Sequence, residues 1–286
     1  MKNSNGGIAD GRKEEGFMPT ILIKGAGDLA TGIALRLHRC GYKITMTEAA
    51  VPTTVRRTVA FSRAVYEGRC EVEGIKALLC KGETEAAAAM EAGNIAVVVD
   101  EKAEIIDRIR PDVVVDAILA KRNLGTDIFQ APFVVGVGPG FTAGKDCDCV
   151  VETKRGHYLG RVIWEGSAIP NTGVPGEIGG YSTERIIRAV KAGSFEPVKS
   201  IGDRVEKGDV VARAGGAEIR ALMPGIIRGM LQEGVEVHEG MKCGDIDARC
   251  EYEYCFTASD KALSVGGGVL EAITMWEKGT APIGKE

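Results

Sequence analysis

The chain of 286 residues carries 36 lysines and arginines against 40 aspartates and glutamates, a formal net charge of −4. With 44% hydrophobic and 27% charged residues it has a globular composition, which excludes a wholly disordered chain. The mild acidity argues against wholesale binding to nucleic acid or to an anionic membrane.

At about 150 residues per domain the length suggests about two domains. Glycine is 39 of the 286 residues, roughly twice the usual ~7%, so many tight turns or several backbone approaches to a ligand are expected. Eight cysteines are far too few for a disulfide scaffold, and neither a CxxC pair nor zinc-finger spacing occurs. Residues 1–18 are polar and Gly-rich and read as a disordered leader without the apolar core of a secretion signal. No apolar run approaches the ~18 residues that cross a bilayer. A cytoplasmic protein with reduced thiols is the expectation, acting without a membrane or nucleic acid and with a homo-oligomer left open.

After the leader, Thr20–Lys24 is a short apolar strand. Asp28–Cys40 is a helix with Leu29, Ile33 and Leu37 on one face, closed by Gly41. Tyr42–Thr47 is a second strand, and Thr58–Ser62 and Lys76–Cys80 are further short ones. Glu83–Ala92 is an Ala/Glu helix stopped by Gly93. Ile95–Val99, Val113–Val115 with an extension to Leu119, and Phe133–Val137 are continuous apolar runs, the pattern of strands buried on both faces of a parallel sheet. Residues 19–145 therefore read as a Rossmann-like, doubly wound α/β domain for nucleotide binding.

From 146 to 258 short β-like stretches alternate with turns, including Cys149–Lys154 and Leu159–Trp164. Ser182–Ala192 reads as one helix, with Ile186, Ile187 and Val190 apolar. Residues 195–250 contain a near-repeat, Val198–Ala212 against Gly229–Asp245, with Pro224 and Gly225 between the halves. This resembles the barrel-sandwich hybrid of biotinyl and lipoyl domains. The hairpin between the halves reads Ala214–Ala217 and holds no lysine, so a swinging-arm cofactor is rejected. Residues 259–286 form a C-terminal helix and tail, with Ser259 as N-cap and three costly helical glycines, Gly266–Gly268, that imply close packing or a bound group.

The sharpest motif is Gly25–Ala30, a G-x-G-x-x-A turn that follows a strand and opens a helix. Gly25 permits the turn, Gly27 lets backbone N–H groups approach a pyrophosphate, and Ala30 keeps the helix near the sheet. Asp28 stands at the helix start, where it also reads as a dipole-stabilising residue. Glu48, about 20 residues on, is placed for a ribose. Arg56 and Arg57 read either as a phosphate or oxyanion pair or as a solvated pair. A second glycine-rich turn, Gly136–Lys145, fails the P-loop pattern at Pro139 and Asp146, but Gly138 and Gly140 are placed to line the sheet's carboxyl edge, with Asp116, Asp100 and Lys121 near it. Arg155, His157 and Arg161 surround a Gly turn and make a second oxyanion candidate. Cys147 and Cys149 read either as thiols activated by those cations or as packed small hydrophobes. No metal site is expected.

A run of motifs names a family. Gly25–Ala30, Arg56 and Arg57, Val150–His157, Leu159–Val162, Asn171–Gly176, Lys242–Asp247, Ser259–Leu263 and Gly266–Ala272 together resemble the selenium-dependent molybdenum hydroxylase accessory proteins of the YqeB type. The resemblance spans nearly all of residues 20–277 and implies a role in maturing such hydroxylases. A hydroxylase itself would need a larger pterin-binding domain and iron–sulfur clusters, for which no cysteine pattern exists here. The expected ligand is a dinucleotide, either molybdopterin dinucleotide or NAD(P). The expected partners are the hydroxylase or other cofactor-maturation proteins. An NAD(P)-dependent oxidoreductase and a non-catalytic scaffold docking a hydroxylase subunit are the competing expectations.

Overall fold

A computed structural model of the chain describes residues 18–171, 173, 177 and 179–283. Residues 1–17 of the expected leader, and Thr172, Val174, Pro175 and Gly176 of the quoted motif, lie outside the described residues. The apolar runs form the central strands: β1 (Thr20–Lys24), β2 (Lys43–Glu48), β3 (Arg69–Val72), β4 (Ile75–Cys80), β5 (Ile95–Val99), β6 (Val113–Asp116), β7 (Phe133–Val137), β8 (Cys149–Val151) and β9 (Val162–Ile163). They make one nine-stranded sheet in the order β3-β4-β5-β2-β1-β6-β7-β8-β9. The inner seven run parallel, and β3 and β9 add antiparallel at the two edges. Strands β6, β7 and β8 are buried at every residue, as covered parallel strands must be.

The helices cover the faces: α1 (Asp28–Arg39), the single turn α2 (Ala64–Glu67), α3 (Glu83–Glu91), the single turn α4 (Ile106–Ile109) and α5 (Asp260–Glu277). One face packs on α1 and α5, the other around α3 and α4. Helices α1 and α5 run parallel and unusually close. A Cβ on Gly32 would lie 2.5 Å from that of Ala262, and one on Gly266 would lie 2.7 Å from the Gly32 carbonyl oxygen. A Cβ on Gly268 would meet the Gly160 carbonyl oxygen at 2.1 Å, whereas one on Gly267 meets nothing within 4 Å. Gly266 and Gly268 are thus packing positions, one of the two roles the triplet's composition implied, and Gly267 is not.

The remaining strands are β10 (Ile186–Arg188), β11 (Gly193–Pro197), β12 (Arg204–Val205), β13 (Val210–Ala214), β14 (Ala217–Arg220), β15 (Gly225–Met230), β16 (Glu236–Val237) and β17 (Lys242–Asp247). They form two four-stranded sheets, β10-β17-β15-β12 and β14-β13-β11-β16, around a third apolar cluster. The near-repeat acquires a structural meaning here. Strand β12 of the first half pairs with the start of β15, just ahead of the second half, and β16 of the second half pairs with β11, just ahead of the first. The molecule is an α/β protein with mixed parallel and antiparallel sheets.

Four expectations change. Ser182–Ala192 is not a helix: its β-branched Ile186 and Ile187 lie in β10, paired antiparallel with β17. Thr58–Ser62 is not a strand but two single 3-10 turns, Arg57–Val59 and Phe61–Arg63. The hairpin strand β3 was missed, because its Arg69 and Glu71 face outward and leave only Cys70 and Val72 as an apolar signal. The boundary at residue 145 cuts through the large sheet, which continues into β8 and β9 and is covered by α5.

Candidate functional site

The turn between β1 and α1 is built by its surroundings. Gly25 sits at φ +90° with Ala117 close above it, and its N–H donates to the Thr47 carbonyl at 2.9 Å. A side chain there would be strained by its backbone alone. Gly27 differs: its φ of −67° suits any residue, and an added Cβ would make only an ordinary 3.4 Å contact with Thr54 Oγ1. The fold therefore does not require glycine at 27, and the space above it lies open to a ligand. The N-cap residue Gly27 has no side chain to cap α1; Asp28 Oδ1 accepts from the Leu29 N–H at 3.0 Å, while the N–H groups of Gly27 and Asp28 find no acceptor among the described residues. Such donors at a helix start are the elements of an anion site.

Two cavities meet at this point. The first, about 410 Å³, is lined by Gly25, Gly27, Ala30, Glu48 and the apolar Val51, Ile118, Leu119 and Leu124, with Asp100 and Glu101 at its rim. The second, about 610 Å³, opens between the large sheet and the β-rich part. Asp28, Leu29, Arg56 and Lys242 line both. Each volume lies within the ~300–1,000 Å³ usual for small-molecule sites.

The second cavity is strongly cationic. Besides Arg56 and Lys242 it is lined by Lys154, Arg155, Arg185, Arg228 and Lys261, against only Asp28 and Asp245. Arg185 and Asp245 form a buried pair, with Nη2 donating to Oδ1 at 2.7 Å and to Oδ2 at 3.0 Å. Arg56 is buried; its Nη2 donates to the Tyr254 and Thr257 carbonyls at 3.0 and 3.2 Å, while Nη1 lies 3.6 Å from Asp28 Oδ2. Its Nε is buried without a hydrogen-bond partner. Arg228 is held only loosely, 3.4 Å from the Tyr254 carbonyl and 3.5 Å from Asp247 Oδ2. Burial pushes its pKa down, and the neighbouring Arg56 pushes the same way. Burial also lowers Lys261, against the opposing pull of Asp28. The N-terminus of α5, with its Ser259 cap, opens on this cavity beside that of α1. Two positive helix ends and an excess of cations favour a ligand carrying several negative charges.

Among the residues expected from sequence, Gly25, Gly27, Asp28, Ala30 and Glu48 share the first cavity, and Arg56 and Arg155 line the second. Glu48 is partly committed: its Oε2 accepts from the Ala26 N–H at 3.0 Å and its Oε1 from the Ala49 N–H at 2.8 Å. Burial raises its pKa despite those bonds. The structure separates the others. Arg57 lies outside both cavities and clasps the β-rich part, donating through Nε to the Met230 carbonyl at 3.0 Å and through Nη1 to Gln232 at 2.9 Å. His157 and Arg161 pack around the exposed Tyr158 ring, and only Arg155 of that trio reaches the cavity, where it pairs with Asp260. Gly138 and Gly140 pack on Thr153 and Arg122, leaving Pro139 as that turn's lining residue. Asp116 and Lys24 are buried together around the Thr126 hydroxyl beneath the turn.

Cys147 and Cys149 are fully buried, which favours the second of their two readings, packed small hydrophobes. Burial pushes the Cys147 thiol up to about 12 and Cys149 well above its ordinary value. Brief alkylation of the native protein near neutral pH should modify the exposed Cys40 first and spare both; intact mass and peptide mapping read the result. Rapid labelling of Cys147 would reopen the nucleophile reading.

Sequence reasoning missed Arg185, Arg228, Lys242 and Lys261, the residues that make the cleft cationic. Lys242 and Lys261 stood inside quoted motifs, but no spacing rule joins positions so far apart. Among the described residues, no three His, Cys, Asp or Glu side chains gather to hold a metal ion, and no helix is long and apolar enough to cross a membrane.

No family model matches the chain. Among solved structures, an aspartoacylase family protein of Mesorhizobium loti is 14% identical, covering 80% of this chain and 85% of its own, with a TM-score of 0.26. The ectoine utilization protein EutE (DoeB) of Ruegeria pomeroyi is 11% identical, with the same coverage and a TM-score of 0.25. Likeness at that level carries no argument about this chain. In sequence, the chain is 48% identical over 273 residues to the uncharacterized protein YqeB of Escherichia coli (strain K12). The match takes in 96% of this chain and 50% of that protein, so the chain spans about half the length of this relative. The quoted motifs, the match along almost the whole chain and its level of identity agree: over its own length the chain is similar to about half of YqeB.

Proposed function

We propose that this chain is an accessory protein in the maturation of selenium-dependent molybdenum hydroxylases, and that it holds a dinucleotide across the two joined cavities. The observation that carries the reading is the meeting of the cavities at the N-terminus of α1, where Gly27 leaves space and Arg56 and Lys242 line both sides. A pyrophosphate there would accept from the free N–H groups of Gly27 and Asp28, and Arg56 and Lys242 would balance its charge. Asp28 works against this, but its charge is already partly met by Arg56.

A Rossmann-like reading of the large sheet is supported by its parallel core. The chain moves from β1 to β2 and outward on one side, then crosses from β5 to β6 on the other side of β1, and this reversal of strand order supports a crevice at the Gly25–Ala30 turn. A barrel-sandwich reading of the β-rich part is supported by its crossed pairing, in which β12 and β16 each pair with the strand that leads into the opposite half. The tip of that module's β13–β14 hairpin is Gly215 and Gly216 rather than a carrier lysine, and a Cβ on Gly215 would lie 2.2 Å from the Ala192 carbonyl oxygen. The module instead supplies Arg185, Arg228 and Lys242 as one wall of the cleft.

The cargo would be molybdopterin dinucleotide. NAD(P) stays the competing ligand because Glu48 ends β2 inside the first cavity, as a ribose-binding carboxylate would. The test is to purify the protein from its native host, denature it and identify what it releases by mass spectrometry, with elemental analysis for Mo and Se. A pterin dinucleotide supports the proposal; NAD(H) alone favours an oxidoreductase; an empty cleft favours a docking scaffold. Gly27→Asp, which the backbone accommodates, should keep the fold but lose the dinucleotide, and a variant that co-purifies with undiminished ligand removes the turn from the site.

A further inference from the structure

The two ends of the cleft are chemically opposite. Beyond the four shared residues, the charged groups lining the first cavity are all acidic: Glu48, Asp100 and Glu101. Its other walls include the apolar Ile118, Leu119 and Leu124, of which Ile118 and Leu124 are exposed. Beyond the same four residues the second cavity is lined by Lys154, Arg155, Arg185, Arg228 and Lys261, with Asp245 the one lining carboxylate among the described residues; Asp245 pairs with Arg185, and Asp260 and Asp247, outside the lining, meet Arg155 and, more loosely, Arg228. Lys154, Lys242 and Lys261 make no ion pair among the described residues. Two buried arginines, Arg56 and Arg228, line the same cavity with their nearest carboxylates only at 3.6 and 3.5 Å, and the Arg56 Nε has no hydrogen-bond partner among the described residues. Burying like charges is costly unless something anionic joins them.

We infer that the cleft is polar end to end: it seats a nucleoside in the first cavity and selects a ligand whose far half is itself anionic in the second. This deepens the dinucleotide reading and rests on it. The carboxylates suit ribose hydroxyls and repel phosphate, while the apolar walls suit a base. At the other end, a neutral or cationic group such as a nicotinamide ring would meet Lys154 and Lys261, which make no ion pair among the described residues, and the loosely held Arg228, and gain nothing from them. The ligand class is a nucleoside 5′-diphosphate extended by a further anionic group, and NAD⁺ fits poorly.

The probes are the 5′-mono-, di- and triphosphates of adenosine and guanosine, NAD⁺ and inorganic pyrophosphate, titrated by calorimetry against the full chain. Affinity should rise about tenfold or more with each added phosphoryl group. NAD⁺ should bind more weakly than ADP, and triphosphate affinity should fall steeply as salt rises. The double variant Lys154→Gln/Lys261→Gln should erase the triphosphate's advantage and leave monophosphate affinity in place. Arg161→Gln, outside both cavities, should change neither. Equal binding of NAD⁺ and ADP, or equal loss of mono- and triphosphate in the double variant, overturns the inference. If no nucleotide binds but pyrophosphate does, and only with Lys154 and Lys261 present, the anionic end stands and the nucleotide reading falls. If neither binds, both fall.

Discussion

Replacing Gly268 by alanine is expected to destabilise the protein by about 1–3 kcal/mol, whereas the same change at Gly267 is neutral or stabilising by up to about 1 kcal/mol. The two residues are neighbours in one helix with the same intrinsic propensity, so the difference isolates packing. At Gly268 the new methyl would stand 2.1 Å from the Gly160 carbonyl oxygen and 2.9 Å from Val151, and backbone must move. At Gly267 there is nothing within 4 Å, and the substitution only relieves the entropic cost of a helical glycine. Thermal and urea unfolding measure both, with about 2–4 °C expected per kcal/mol for a chain of this size. Equal shifts would contradict the close packing of α5. The result bears on function because α5 carries Ser259 and Lys261 to the cleft, and the Gly32–Ala262 approach sets how near its N-terminus comes to that of α1.

What the sequence reveals follows the range of its physical signals. Continuous apolar runs such as Ile95–Val99 and Phe133–Val137 identify buried parallel strands because each is a local statement about two covered faces. The Gly25–Ala30 turn is equally local, and it lies where the cavities join. Ser182–Ala192 fails for the opposite reason: its apolar spacing suits a helix, but pairing with β17, some sixty residues on, decides the conformation. The cationic wall is illegible on the same ground. Arg185, Arg228 and Lys242 come from the β-rich part and meet Arg56 where Met230 hydrogen-bonds Val55 and Arg57 donates to Met230. Arg57, expected beside Arg56 as a phosphate ligand, instead helps to fasten the two parts together, as do Arg56 and Thr58 through the Tyr254, Thr257 and Cys255 carbonyls. Adjacent positions in an irregular segment point different ways, and no periodicity says which faces the ligand.

Arg185 and Arg228 line the same cavity, yet methionine in their places should have opposite consequences. Arg185→Met removes both short bonds to Asp245 and leaves that carboxylate buried without its partner, a loss of about 3–5 kcal/mol. Arg228→Met removes only contacts of 3.4 and 3.5 Å. Its companion Asp247 keeps the bidentate pair from Arg249, at 2.9 and 2.6 Å, and the repulsion between Arg228 and Arg56 disappears. Stability should therefore hold or rise slightly, while affinity for pyrophosphate falls about tenfold to a hundredfold with the loss of a charge-assisted contact. Denaturant midpoints and calorimetric titration separate the two effects. A residue whose removal costs binding but not stability is kept for its ligand, since a cation buried this poorly compensated does nothing for the fold. If Arg228→Met unfolds as readily as Arg185→Met, Arg228 is a brace for Asp247, and the charge excess of the cleft belongs to the architecture rather than to a bound anion.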